Sequence, residues 1–305
     1  MQVFNIPLDS THQETTHHGS YSFPIAIYTT QISRNILGFI DWHWHQELQF
    51  CVVLNGVVDF YVNQSHFIIK EGDGIFINAG QLHMARNHGL SDSTYICLDF
   101  HPRMISNFAG SIIESKYVSP YLADPEFAHC FLSSKIKWQE QILDTLLEIS
   151  SNYHSNTPDE MQITLQLGSV WHTLISSKSE VRKALPDTAI SPQVREIMQY
   201  IRDNYMNNIS LDTLADMTSL ARSSCCRKFK KQTSCTISEF ILNVRLQEAS
   251  RLLLTSDYTI TEISMLCGFN DSSYFTKEFR LKTGISPSMY RKEKSHIKSE
   301  ILSTI

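Results

Sequence analysis

Leu211-Asp212-Thr213-Leu214-Ala215, running on to Arg227-Lys228-Phe229-Lys230-Lys231, and Ile260-Thr261-Glu262-Ile263-Ser264, running on to Lys277-Glu278-Phe279-Arg280, are two copies of one pattern. They stand about 50 residues apart, a spacing at which internal repetition is diagnostic. Leu214 answers to Ile263, Ala215 to Ser264, Cys225 to Phe275, Phe229 to Phe279 and Thr233 to Thr283. Each copy reads as a short helix, a tight turn and a longer basic helix, the order of a helix-turn-helix, whose second helix meets base edges in the major groove. Cys225 and Phe229, and likewise Phe275 and Phe279, are four apart and share an inward face. Arg222, Ser223, Cys226, Arg227 and Lys230 are then the candidate DNA contacts of the first copy, and Ser272, Ser273, Thr276 and Lys277 those of the second.

The copies are joined by a predicted helix over 237–254, opened by a capping box of Thr236 with Glu239. Phe240, Ile241, Val244, Ala249, Leu252 and Leu253 give it apolar contacts for both halves. A rigid connector would set the two recognition helices about one DNA turn apart, roughly 34 Å, so that both read one extended half-site.

Residues 194–292 resemble the DNA-binding domain of AraC/XylS-type transcriptional regulators. The resemblance is carried by Gly268-Phe269, Tyr274-Phe275, Phe279-Arg280, Gly284-Ile285-Ser286-Pro287 and Tyr290-Arg291. It implies that the outward positions of both recognition helices read double-stranded DNA. Three positions depart from the pattern: Ala221 replaces a capping Ser, Ser234 a Gly, and Ser264 a small apolar Ala.

Net charge is −5 over 305 residues. That average conceals an asymmetry: residues 191–295 hold 15 Lys/Arg against 11 Asp/Glu, and residues 1–190 hold 10 against 19. A DNA-binding module is joined to an acidic partner domain. No run of 18 apolar residues or signal-peptide layout occurs, so a cytoplasmic protein with no membrane partner is expected. The seven cysteines lack metal-type spacing and read as reduced, mostly buried thiols.

Upstream, four divisions are expected: a flexible arm over 1–20 with His17 and His18 solvated, a sensor and dimerisation domain over 21–176, a linker over 177–190, and the DNA-binding domain over 191–295. The expected fold class is α+β: an N-terminal cupin-like β-barrel with a helical pair, plus a C-terminal all-α domain with two helix-turn-helix motifs. Short strands rich in Val, Ile, Phe and Tyr run from Ile25 to Phe100, with turns at Asn55-Gly56 and Asn63-Gln64. A long strand over 42–54 would place His43, His45, Glu47, Gln49, Cys51 and Val53 on one face, and Trp42, Trp44, Leu48, Phe50 and Val52 on the other. Helices are predicted over 137–154 and 159–177, with an apolar face buried against the barrel or a second chain.

This region resembles a cupin, through Gly38, His43-Trp44-His45 and Gly56, then Gly72, Gly80, His83 and Asn87. Metal-binding cupins use three His and a Glu, and Gln49 stands in the Glu position here; Glu47 is near in sequence. Three readings of His43, His45 and His83 stay open: metal ligands, polar groups lining an effector pocket, and hydrogen-bonded structural residues. The candidate effector-binding residues are His43, His45, Glu47, Gln49 and His83, and no metal or cofactor is expected. The resemblance implies an effector-responsive regulator, with a small molecule such as a sugar, RNA polymerase and a second copy of the chain as partners. The alternative is a metal-dependent cupin enzyme carrying an accessory DNA-binding domain.

Overall fold

The computed structural model describes residues 6–9, 12–35, 37–177, 191–233 and 235–292. Its contacts divide the chain into two units, one of residues 1–35 and 39–189 and one of residues 36–38 and 190–305. The expected linker lies almost wholly outside the described residues, as do Ser234, Lys294 and Lys298.

The first unit holds nine strands: β1 Ile25–Gln31, β2 Phe39–His43, β3 Leu48–Asn55, β4 Val57–Val62, β5 Ser65–Lys70, β6 Gly74–Ile77, β7 His83–Asn87, β8 Thr94–Phe100 and β9 His129–Leu132. They form two antiparallel sheets, ordered β1-β8-β3-β6-β9 and β2-β7-β4-β5. The long strand expected over 42–54 is therefore two strands in different sheets. The break falls at residues 44–47, where Trp44 leaves the ladder: its N–H donates to the His12 carbonyl and its carbonyl accepts from the Glu14 N–H. A period-2 pattern cannot reveal such a crossing, because the alternation resumes in phase beyond it. β9 also lies past the expected end of the barrel, pairing with β6 from Gly74↔Leu132 to Ile77↔His129.

Alternation along β3 separates two cores. Cys51 and Val53 point between the sheets, joining Val58, Phe60, Val62, Ile69, Ile75, Ile77 and Ala85. Leu48, Phe50 and Val52 face the other way, where they meet α1 (Lys137–Tyr153) and α2 (Glu160–Ser176) through Ile142, Leu146, Ile149, Leu167, Val170, Trp171 and Leu174. The apolar stripe of the helical pair is thus buried on the barrel, each large side chain contributing about 1.5–3 kcal/mol. Leu147, Met161 and Leu165 stay exposed on the same pair.

The second unit is helical: α3 Pro192–Asn204, α4 Leu211–Met217, α5 Arg222–Thr233, α6 Ile237–Thr255, α7 Ile260–Leu266 and α8 Ser272–Thr283. Ser191 stands at the cap of α3 as its sequence suggests, but both its N–H and its hydroxyl donate to Gln232 Oε1 rather than cap the helix. Thr236 and Glu239 close the expected capping box on α6, and Thr259 with Glu262 closes a second on α7. The inward aromatic residues pack as their spacing requires, with Phe229 and Phe240 rings 5.5 Å apart and Phe275 and Phe279 rings 5.6 Å apart.

The two copies agree at the level of single hydrogen bonds. In the first turn Leu220 N–H donates to Ala215 O at 2.9 Å; in the second Phe269 N–H donates to Ser264 O at 3.0 Å. Both turns pass through a left-handed residue, Ser219 at φ 52° and Gly268 at φ 78°. A Cβ on Gly268 would stand 2.6 Å from Tyr205 O, so this copy needs glycine for space as well as for φ. Thr233 Oγ1 lies 2.8 Å from Phe229 O and Thr283 Oγ1 2.8 Å from Phe279 O.

Candidate functional site

His43 closes β2 and His83 opens β7, and the two are direct partners in the ladder, beyond an irregularity between Ile40 and His43. Their rings stand 4.1 Å apart, and the His45 ring, from the crossing segment, lies 5.1 Å from that of His83. All three are buried. Each Nδ1 meets a backbone carbonyl: His43 that of Asp41 at 2.7 Å, His45 that of Glu47 at 3.1 Å, His83 that of Gln81 at 2.8 Å. A carbonyl only accepts, so each neutral ring carries its proton on Nδ1 and turns a lone pair on Nε2 inward. Burial, with the neighbouring imidazole of His83, holds His45 well below the ordinary histidine range, and burial pushes His83 down to about 4.

The structure brings His43, His45, Gln49 and His83 together. Gln49 Nε2 reaches His45 Nε2 at 3.4 Å and Cys97 Sγ at 3.0 Å. Glu47 stands apart: its carboxylate lies 3.6 Å from His45 Nδ1, on the side away from the converging Nε2 atoms.

The expected solvated arm needs correction. His17 is exposed, but His12, Glu14 and His18 are buried. Glu14 and His18 line the same cavity as His43, Gln49 and His83, with Tyr28 and Asp99. The segment is held because β2 ends early: residues 12–14 take the backbone partners that Trp44 would otherwise give a neighbouring strand. His18 sits between two carboxylates, Nε2 3.5 Å from Glu14 Oε2 and Nδ1 3.7 Å from Asp99 Oδ2. Burial opposes its charge, but Glu14 and Asp99 outweigh burial and raise His18 to about 9. For Asp99 burial dominates and lifts it to about 6. Nothing in the aperiodic sequence before residue 20 marks Glu14 or His18. Asp99 did carry a signal, since alternation with Tyr95 and Cys97 puts an acid on the interior face of an apolar strand.

On the second unit, Arg222, Ser223, Arg227 and Lys230 are exposed on α5 and Cys226 is half-buried. Arg222 is ion-paired to Asp212 of α4, and Arg227 Nε donates to Ser223 O at 3.3 Å. Lys228, beside them, turns to Gln193 at 3.1 Å. On α8, Ser272, Ser273, Thr276 and Lys277 line one open groove together with Arg280, a cation the outward-face reading left out. Asp271 caps α8 through the Ser273 N–H. At α5 the corresponding first helical bond is accepted by Ala221 O, whose side chain has no oxygen to offer.

Comparison with known proteins gives two family matches, a helix-turn-helix domain over residues 214–293 and an AraC-like ligand binding domain over residues 34–148. An uncharacterised HTH-type transcriptional regulator of Bacillus subtilis is 33% identical over 95% of this chain and 99% of its own length. The lactose operon transcription activator of Staphylococcus xylosus is 23% identical over 73% of this chain and 82% of its own. Among solved structures, ToxT of Vibrio cholerae covers 88% of this chain and 96% of its own at 12% identity, with a TM-score of 0.43.

Proposed function

This chain belongs to the AraC-type transcriptional regulators, and from that premise we propose that it is an effector-responsive activator of carbohydrate uptake or catabolic genes, acting as a homodimer. DNA binding by such a chain is regulation rather than catalysis, which removes the cupin-enzyme alternative. The observation that carries the reading is the bond-for-bond agreement of the two turns, each of which presents a helix with exposed polar and basic side chains. Ser223, Cys226, Arg227 and Lys230 of α5, and Ser272, Ser273, Thr276 and Lys277 of α8, are the proposed readers of one half-site, with Arg222 shared with Asp212. Arg280 joins them as a phosphate contact.

The effector site is the cavity of His43, Gln49 and His83, with His45 behind it. Its inward lone pairs and two carboxylates favour a ligand rich in hydroxyl donors, and the name of the lactose operon activator supports a sugar. The cavity measures about 40 Å³ with residues 12–18 in place, room for two or three waters. A sugar therefore enters only when that segment lifts. Binding then favours one arrangement of the sensor over the other, and so controls engagement of DNA or of RNA polymerase. Leu147, Met161 and Leu165 of the helical pair support the dimer as an unspent apolar surface.

The test is selection of bound sequences from a random DNA pool by the full-length protein at about 150 mM salt, where non-specific binding is weak. Two conserved blocks about one turn apart are expected. Absence of sequence preference, with and without candidate sugars, would overturn the reading.

A further inference from the structure

Cys51 of β3 and Cys97 of β8 are direct partners across the ladder, and both are buried between the sheets. The bonds of neighbouring residues fix the kind of pair. Val53 N–H donates to Asp73 O and Val53 O accepts from Gly72 N–H, on the β6 side, while His101 N–H donates to Pro24 O at the head of β1. By alternation of two, the backbone groups of Cys51 turn to β6 and those of Cys97 to β1, away from each other. They are a non-hydrogen-bonded pair, the class with Cα atoms about 4.5 Å apart and side chains closest. A disulfide spans about 4.4–6.8 Å between Cα atoms, so one bond can bridge this pair. The two thiols already interact directly.

Cys97 has surroundings that a merely structural thiol does not need. Its Sγ lies 3.3 Å from each oxygen of Asp99, and Gln49 Nε2 donates to it at 3.0 Å. It also lines the cavity, whose volume of about 40 Å³ admits hydrogen peroxide, a molecule of two oxygens, but not a bulky thiol or disulfide. Burial, the Cys51 thiol and the Asp99 charge push Cys97 well above the ordinary thiol range. The thiolate is the nucleophile, so the proton has to leave as the sulfur reacts, and Asp99 is the acceptor in contact with it. We propose that Cys97 and Cys51 are a peroxide-reactive dithiol that closes to a cross-strand disulfide, with Asp99 taking the Cys97 proton. Cys97 sulfur attacks one peroxide oxygen, the O–O bond breaks, and the leaving hydroxide takes that proton from Asp99 and departs as water. Cys97 is then a sulfenic acid. Cys51 sulfur attacks it, the S–O bond breaks, and the hydroxyl leaves with the Cys51 proton as a second water. The two thiols give up two electrons and peroxide takes them. The bond draws Cys97 away from Gln49 and Asp99, so the cavity changes its lining with oxidation; only this consequence rests on the cavity being the regulatory site.

The test treats reduced full-length protein with hydrogen peroxide, then alkylates it and maps its peptides by mass spectrometry. The expected result is a Cys51–Cys97 bond, reversed by dithiothreitol. Cys51→Ser leaves Cys97 as a sulfenic acid that dimedone traps, and Cys97→Ser leaves Cys51 unoxidised. Asp99→Asn slows closure of the bond about 100-fold, the loss expected on removing a general base. Recovery of Cys51 and Cys97 as free thiols, at a peroxide dose that converts glutathione wholly to its disulfide, overturns the proposal in the parent protein without reference to any variant. A bond to another cysteine instead, or closure at the parental rate in a folded Asp99→Asn, overturns it too. DNA selection by the reduced protein does not depend on this readout, so a failure here leaves the regulator standing.

Discussion

Ser264 is the residue at which the two copies disagree most instructively. Its counterpart Ala215 is buried and apolar, whereas Ser264 is buried with a hydroxyl that finds no hydrogen-bond partner. Ser264→Ala should therefore raise stability by about 1 kcal/mol, seen as a higher urea midpoint at unchanged slope; a lower midpoint would mean the hydroxyl is satisfied. Asp92 is the opposite case. Its carboxylate accepts from Ser33 N–H and Oγ, Gln31 Nε2, Asn87 Nδ2 and Ser93 N–H, tying the end of β1 to the start of β8. Burial opposes the charge, but these donors prevail and hold Asp92 at about 2. A depressed carboxylate stabilises the fold above its ordinary value of 3.8 and loses that contribution as pH falls towards 2. Asp92→Asn should thus be less stable than the parent at pH 7 and converge with it near pH 2, read by chemical denaturation across that range.

At the scale of elements, the sequence made the helices legible and the barrel only partly so. Periodicity 3.6 with caps located α1, α2 and α6 within a residue or two, because those elements declare themselves locally: Thr236 and Glu239 are three apart and bond to each other and to the adjoining backbone. β2 and β3 were read as one because what separates them is the non-local pairing of Trp44 with residues 12 and 14. The departure at Ala221 was legible, and its consequence is specific to α5, which starts with no side-chain cap where α8 has Asp271. Ala221→Ser should stabilise the protein by about 1 kcal/mol, measurable as a shift in thermal midpoint. Arg227→Ala on the same helix should cost about 1–3 kcal/mol on the preferred site and relax one base position. If binding to all sequences weakened alike and the salt slope flattened, Arg227 would be a phosphate contact instead.

For the molecule as a whole, no described helix is long and apolar enough to cross a membrane. Met161 and Leu165 stand 69% and 62% exposed on α2. Replacing both with Lys should turn the proposed dimer into monomers in sedimentation and weaken DNA binding without moving the thermal midpoint, since neither residue is in the core; an unchanged sedimentation coefficient would rule this face out as the dimer contact. The histidine cluster was legible because His43 and His45 stand two apart and His83 falls in the second stretch of the cupin resemblance, whereas Glu14 and His18 were illegible because they reach the pocket only through folding. That origin has a kinetic meaning. Because Glu14 belongs to the chain whose pocket it enters, its return after the proposed lifting would be a first-order event at an effective concentration of about millimolar. Closure by the proposed segment would therefore be indifferent to dilution of the protein, and a free carboxylate in solution would compete with it only at similar strength.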